Sequence, residues 1–343
     1  MRPSRRLALA GGLAAAAAAC AGRPVGAVPD PRFRTLGRVE RLSPAMDGIV
    51  APDAVIQVLA EGFTWSEGPV WIAEGGYLLF SDVPNNRIHR WSEADGLSVF
   101  MEPSGYDGPA TDAFREAGSN GLIVGPKGSI LMADHGNRAV ARLDLATQAK
   151  TLLATQFGGR RFSSPNDLVQ GAGGAIFFTD PPYGLAGMDQ SPLKEQGHNG
   201  VYRLDADGAV SLLVRDLTFP NGIGLSPDRR TLYVAVSDPA HAVVMAYGLD
   251  ARGGVTDGRV LRDFTAMVGA DNPGLPDGLV VDEAGRLFCT GPGGVHVLAA
   301  DGQALGLIRT DGPAANCTFG EDGRTLFITA GANLLRIRTL TRG

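Results

Sequence analysis

The chain has 343 residues, 44% of them hydrophobic, with 48 glycines and a formal net charge of −5. That length could hold two ordinary domains, but repeat-built β domains run this long as single units, and the glycine content suits a turn-rich all-β protein. No basic run occurs beyond the N-terminus, which argues against a nucleic-acid partner.

Residues 1–27 read as an export signal. Arg2, Arg5 and Arg6 precede an apolar run, Leu7–Ala19, that is short and alanine-rich for a membrane span. Ser4-Arg5-Arg6-Leu7-Ala8-Leu9 resembles a twin-arginine motif, with a general secretory signal as the alternative. Ala17-Ala18-Ala19-Cys20 resembles a lipoprotein box, and cleavage after Ala27 competes with it. The expected location is the periplasm, with membrane contact only through a lipid on Cys20. Residues 28–50, which contain proline and arginine, read as a tether. Val55–Leu59 has strand character and is expected to close the last blade of a ring as its outer strand, removing an open edge.

From there to the C-terminus one pattern recurs six times. A small polar or acidic residue is followed by a short apolar run, a turn, and a second apolar run ending near an Asp or a small residue. The starting residues are Glu67, Asn120, Asn166, Asn221, Asp277 and Asn316, at intervals of 53, 46, 55, 56 and 39 residues. Each repeat holds two strands and has room for two more. This predicts a six-bladed β-propeller over residues 51–343, with four antiparallel strands per blade.

The innermost strand of each propeller blade starts beside the central channel, so the six starting residues are expected to converge on the axis. They are two carboxylates and four carboxamides. A ring of oxygen donors carrying two negative charges suits a hard cation. The next residue is Gly68, Gly121, Gly222 or Gly278 in four repeats, which would let backbones crowd there. Strand-entry turn chemistry explains each Asn-Gly or Asp-Gly pair singly, but not six oxygen-bearing residues in one register.

Two insertions, Pro103–Gly118 and Tyr183–Gly200, fall on the face where inner strands begin and are expected to rim the site. The same geometry places His135, Tyr183 and His198 near its mouth, and leaves His241 as a surface turn residue. Trp65, Trp71 and Trp91 read as packing or wall residues of the first blade. The three cysteines, Cys20, Cys289 and Cys317, show no zinc or redox spacing, and the last two read as small buried thiols.

The segments PNGIGLSPDRRTLYV, SSPNDLVQ, FFTDPPYG, PDGLVVDEAGRLF and GGVHVL, in this order and spacing from about Glu61 onward, resemble the gluconolactonase branch of the family that includes regucalcin (senescence marker protein) and luciferin-regenerating enzyme. The resemblance implies a six-bladed propeller with one catalytic divalent metal on its axis, its ligands falling on Glu67, Asn166, Asn221 and Asp277. Oxygen donors without thiolate or histidine favour Ca²⁺, with Mg²⁺, Mn²⁺, Zn²⁺ and Fe²⁺ open. The implied reaction is hydrolysis of a sugar lactone, D-glucono-1,5-lactone or a related aldonolactone, by metal-activated water. Asp277 is the candidate general base, and Asn120, Asn166, His135, Tyr183 and His198 are candidate substrate contacts.

No G-x-S-x-G elbow is present to supply a serine nucleophile. Two departures stand out. Where regucalcin carries an arginine two residues before the matching asparagine, this chain has Ser164, and where paraoxonase-type propellers carry histidine it has Asn120. A non-catalytic metal-binding scaffold and an aryl esterase or phosphotriesterase are the alternatives. The former would show a metal face without a deep cup, the latter an apolar cup. A monomer or weak dimer is expected.

Overall fold

The computed structural model describes residues 30–343, so the export segment and Cys20 lie outside the described residues. The chain forms a six-bladed propeller of antiparallel four-stranded sheets, two of them extended by a fifth strand. Blade one comprises Ser66–Ile72, Tyr77–Asp82, Arg87–Ser92 and Gly96–Met101, and blade two begins at Ser119–Val124. The inner strands of blades three to six are Leu168–Gln170, Pro220–Leu225, Leu279–Val281 and Asn316–Gly320. The apolar runs of each repeat are buried between neighbouring blades, as in the cluster of Leu131, Phe162, Phe178 and Tyr202.

The ring closes as the sequence suggests. Ile56–Glu61 pairs antiparallel with Asn333–Arg338 of the last blade, from Asn333 opposite Glu61 to Arg336 opposite Gln57, with a one-residue shift between Leu334 and Leu335. The sheet therefore joins residues from opposite ends of the fold and leaves no open seam.

The expected tether does not hold from Thr35 onward. Thr35–Leu36 adds to Ile56–Glu61 in blade six, and Arg38–Arg41 adds to Ala304–Arg309 in blade five. A short 3₁₀ turn, Pro44–Gly48, follows and is capped by the Ser43 hydroxyl. Met46, Ile49 and Val50 are fully buried against Phe288, Val295, Ile308 and Ile328. Proline and arginine gave this stretch its solvated look, yet its arginines are held in ion pairs, Arg41 with Asp47 at 2.8 Å, and Met46, Ile49 and Val50 are buried while Leu42 stays exposed. The segment thus straps two blades together beside the ring closure. Met46→Ala is expected to cost about 2–5 kcal/mol, the range for truncating a buried methionine that leaves a cavity. A denaturant midpoint within error of the parent protein would show that the strap contributes nothing.

Candidate functional site

Pairing between the two innermost strands slips at Glu67/Val70 in blade one, Ser119/Leu122 in blade two and Pro220/Ile223 in blade four. In blades three and five, pairing starts only at Leu168 and Leu279, after Asn166 and Asp277. Irregular pairing frees these residues from the alternation of a regular strand and lets them turn toward the axis. Glycine then permits the crowding. A Cβ on Gly68 would sit 2.1 Å from the Asn120 carbonyl oxygen, and one on Gly222 would sit 2.0 Å from that of Asp277. At these junctions the glycine after one starting residue abuts the starting residue of the next blade.

The recurring Asp at the end of the second strand ties down the approach to the first. Asp82 accepts from the backbone N–H of Thr64 and Trp65, at 3.3 and 3.1 Å, two residues before Glu67. Asp180 does the same for Ser163 and Ser164, at 2.9 and 2.8 Å, just before Asn166. Burial pushes the Asp180 carboxyl up to about 7 against the pull of those two N–H groups.

Above the ring lies a cavity of about 480 Å³. Its floor is formed by Glu67, Asn120, Asn166, Asn221 and Asp277, five of the six starting residues. The sixth, Asn316, is on the axis but faces the opposite mouth. It accepts from its own strand's Cys317 N–H at 2.8 Å and lines the lower cleft together with Asp167.

The floor is electrostatically incomplete. Burial raises the Glu67 carboxyl above its ordinary range, and the negative charges of Asp167 and Glu116 add to that. Burial also raises Asp277, reinforced by Glu67, Asp167 and Glu116. Asp277 Oδ1, Asn120 Oδ1 and the Tyr183 hydroxyl are buried without hydrogen-bond partners among the described residues. Asn221 spends an amide N–H on the Ser237 hydroxyl at 2.9 Å, which leaves its carbonyl oxygen for another partner. Among the described residues no three His, Cys, Asp or Glu side chains cluster as a metal site. The donors here are two carboxylates plus carboxamide oxygens, and buried, unpaired oxygens of that kind fit a hard divalent cation.

The expected substrate contacts divide. Asn120, Asn166 and Tyr183 line the cavity; His135 and His198 do not. His135 is completely buried, because the Pro103–Gly118 insertion folds over it and places Glu116 between its ring and the cavity, 3.4 Å from Nδ1. His198 lies outside the cup, with its Nε2 hydrogen-bonded to the Tyr202 hydroxyl at 2.9 Å, because it sits at the far end of its loop, where the chain enters the strand Asn199–Leu204. Trp65 forms part of the cavity wall, whereas Trp71 and Trp91 pack against Phe327. Cys289 and Cys317 are buried free thiols.

Both insertions do rim the cup, and they pair with each other: Phe114 bridges to Leu185, and the Arg115 N–H donates to the Gly184 carbonyl at 3.0 Å. Arg115 and Glu116 reach the cavity from this junction, and the sequence reading missed both. The signal that could have flagged them was their place in a long insertion on the correct face. Composition overstates the polarity of the rim, since Pro239, Val268, Leu275 and Pro313 form an apolar wall.

A family model described as "SMP-30/Gluconolactonase/LRE-like region" matches residues 65–332. The chain belongs to this family. It is 45% identical over 313 residues to a gluconolactonase of Zymomonas mobilis, covering 90% of this chain and 88% of that protein. It is 31% identical over 272 residues to a 6-deoxy-6-sulfogluconolactonase of Pseudomonas putida, covering 77% and 82%. Among solved structures, a gluconolactonase of Xanthomonas campestris superposes with a TM-score of 0.76 at 32% identity, covering 92% of this chain and 99% of that one. The matched span in this family member contains the whole cavity floor.

Proposed function

We propose that this chain is a sugar-lactone hydrolase whose axial oxygen donors hold one divalent cation, with a neutral aldonolactone such as D-glucono-1,5-lactone as substrate. The observation that carries the reading is the buried Glu67 together with the buried, orphaned Oδ1 of the half-buried Asp277, at the floor of a cup sized for a small ring, in a chain 45% identical to a gluconolactonase.

Glu67, Asn166, Asn221 and Asp277 are the residues that would hold the cation, with Ca²⁺ the first choice by donor type. When bound, the cation would supply Lewis acidity toward the lactone carbonyl and toward water. Asp277 has a partnerless Oδ1 at the cavity floor, which suits it to take the proton from the attacking water. Asn120 and the buried Tyr183 hydroxyl are positioned to hydrogen-bond the substrate. Burial and the negative charge of Asp277 keep the Tyr183 phenol protonated, and so a donor. Export through residues 1–27, as the sequence suggests, would place this activity in the periplasm.

The apolar wall supports a second reading, in which an aryl ester occupies the same cup. A panel of aldonolactones (glucono-, xylono-, galactono- and arabinono-) beside phenyl acetate, assayed on metal-reconstituted protein, separates the two. Turnover of aldonolactones is expected; turnover of phenyl acetate alone would favour the ester reading, and none at all would favour a scaffold.

The cation also has a structural readout. A ligand present at about 100 times its dissociation constant stabilises the folded state by roughly 2.7 kcal/mol, several degrees of melting temperature for a domain of this size. Adding Ca²⁺ or Mn²⁺ to chelator-treated protein is therefore expected to raise the melting temperature. An unmoved transition would mean that the floor holds no cation.

A further inference from the structure

We infer that Glu116 is a substrate-contacting residue that accepts hydrogen bonds from the ring hydroxyls and makes the cup selective for polyhydroxylated lactones, with His135 as its positioning residue. The inference rests on the lactonase reading and adds to it the residue that decides which lactones fit.

Glu116 is not one of the axial residues. It comes from the insertion between blades one and two, is 7% exposed, and lines the cavity. Its backbone is fixed, since the Arg115 and Glu116 N–H groups both point to the Gly184 carbonyl, at 3.0 and 3.3 Å, and the neighbouring Ala113 carbonyl accepts from Ala186 at 3.0 Å. Its side chain is held from two sides. Oε1 lies 2.9 Å from the Arg115 guanidinium at the rim, and Oε2 lies 3.4 Å from His135 Nδ1 behind it. His135 is fully buried, and its backbone N–H donates to the Gly118 carbonyl at 3.2 Å. Among the described residues neither ring nitrogen makes a regular hydrogen bond, and Glu116 is the one acidic side chain at ion-pair distance.

A carboxylate oxygen accepts about two hydrogen bonds, so each Glu116 oxygen keeps acceptor capacity after these contacts. A nearly buried carboxylate with unfilled capacity, lining a cavity, wants donors from whatever occupies that cavity. A carboxylate in the cavity would offer Glu116 only further acceptors, whereas ring hydroxyls supply the donors it lacks. Across the cavity, Trp65, Val268, Leu275 and Pro313 present apolar surface to the C–H face of a ring. A ring with hydroxyls along one edge and C–H groups on its face matches both walls.

The test compares D-glucono-1,5-lactone with δ-valerolactone, which has the same ring without hydroxyls, on parent protein, Glu116→Gln, Glu116→Ala and His135→Phe. Removing a charged acceptor of substrate hydroxyls is expected to lower kcat/KM for the glucono-lactone about 10- to 100-fold further than for δ-valerolactone, mainly through KM. Glu116→Gln, which keeps shape and one carbonyl oxygen, should fall less than Glu116→Ala. His135→Phe should lower the same ratio alone and add nothing in the Glu116→Ala background. Equal losses on both lactones, or an unchanged ratio in folded Glu116→Gln, would overturn the assignment. Binding of 1,5-anhydro-D-glucitol, a ring polyol with no lactone bond, followed by ligand-observed NMR, gives a readout independent of turnover. Loss of that binding in Glu116→Ala supports the assignment even if the parent protein opens no lactone, in which case the hydrolase reading alone fails. Retained binding contradicts it.

Discussion

Asp277→Asn is expected to keep the fold and part of the metal affinity while losing lactonase activity by about 10²-fold or more, the scale for a positioned general base. The substitution preserves shape and one ligating oxygen, and it removes a charge and the proton acceptor. The loss should appear in kcat at saturating substrate, and excess metal should not restore it. Asp277 differs from the other floor residues in offering a carboxylate oxygen that is buried and unpartnered, Oδ1. Rescue to near-parent turnover by added metal would show that Asp277 acts as a ligand only, and the base would have to be sought elsewhere.

Glu67→Gln should fail differently. Both Glu67 oxygens are engaged, Oε2 by the Gly68 N–H at 3.0 Å and Oε1 by the Trp65 indole N–H at 3.4 Å, so its orientation is fixed and it is poorly placed to move a proton. Its expected contribution is charge toward the cation. Activity should therefore fall at limiting metal and recover substantially at excess, with kcat near the parent value. A Glu67→Gln enzyme that stays inactive at every metal concentration, with an unchanged melting profile, would contradict this division of roles.

The floor of the site was legible because six repeats share one register. Glu67, Asn120, Asn166, Asn221 and Asp277 hold equivalent places, and equivalence in a closed ring means convergence. Asn316 shares the register yet turns to the other mouth, where its side chain caps Cys317. Register fixes where a backbone starts, and local hydrogen bonding decides which way the side chain leaves it. The closing strand was legible because a ring must close and Val55–Leu59 has the right alternation. The strap at 35–50 was not, since its burial depends on three apolar residues meeting a core made by distant blades.

The rim was legible only as a location. An insertion has no repeat partner against which to set its register, so Pro103–Gly118 announced a rim without announcing that Glu116 would enter the cup. The same insertion explains His135, which is on the correct face at the expected place and is covered by the residue that replaces it at the surface. Ser164 is buried and bonded to the Pro181 carbonyl, while Arg115 reaches the cavity from the Pro103–Gly118 insertion.

The central claim is that one divalent cation on the axis is needed for lactone opening. Chelator-treated protein should be titrated with Ca²⁺, and separately with Mn²⁺, while acid release from D-glucono-1,5-lactone is followed in a pH-stat against the spontaneous rate. The expected result is negligible turnover without metal, rising to a plateau at one equivalent per chain. Full turnover by protein verified as metal-free would contradict the account.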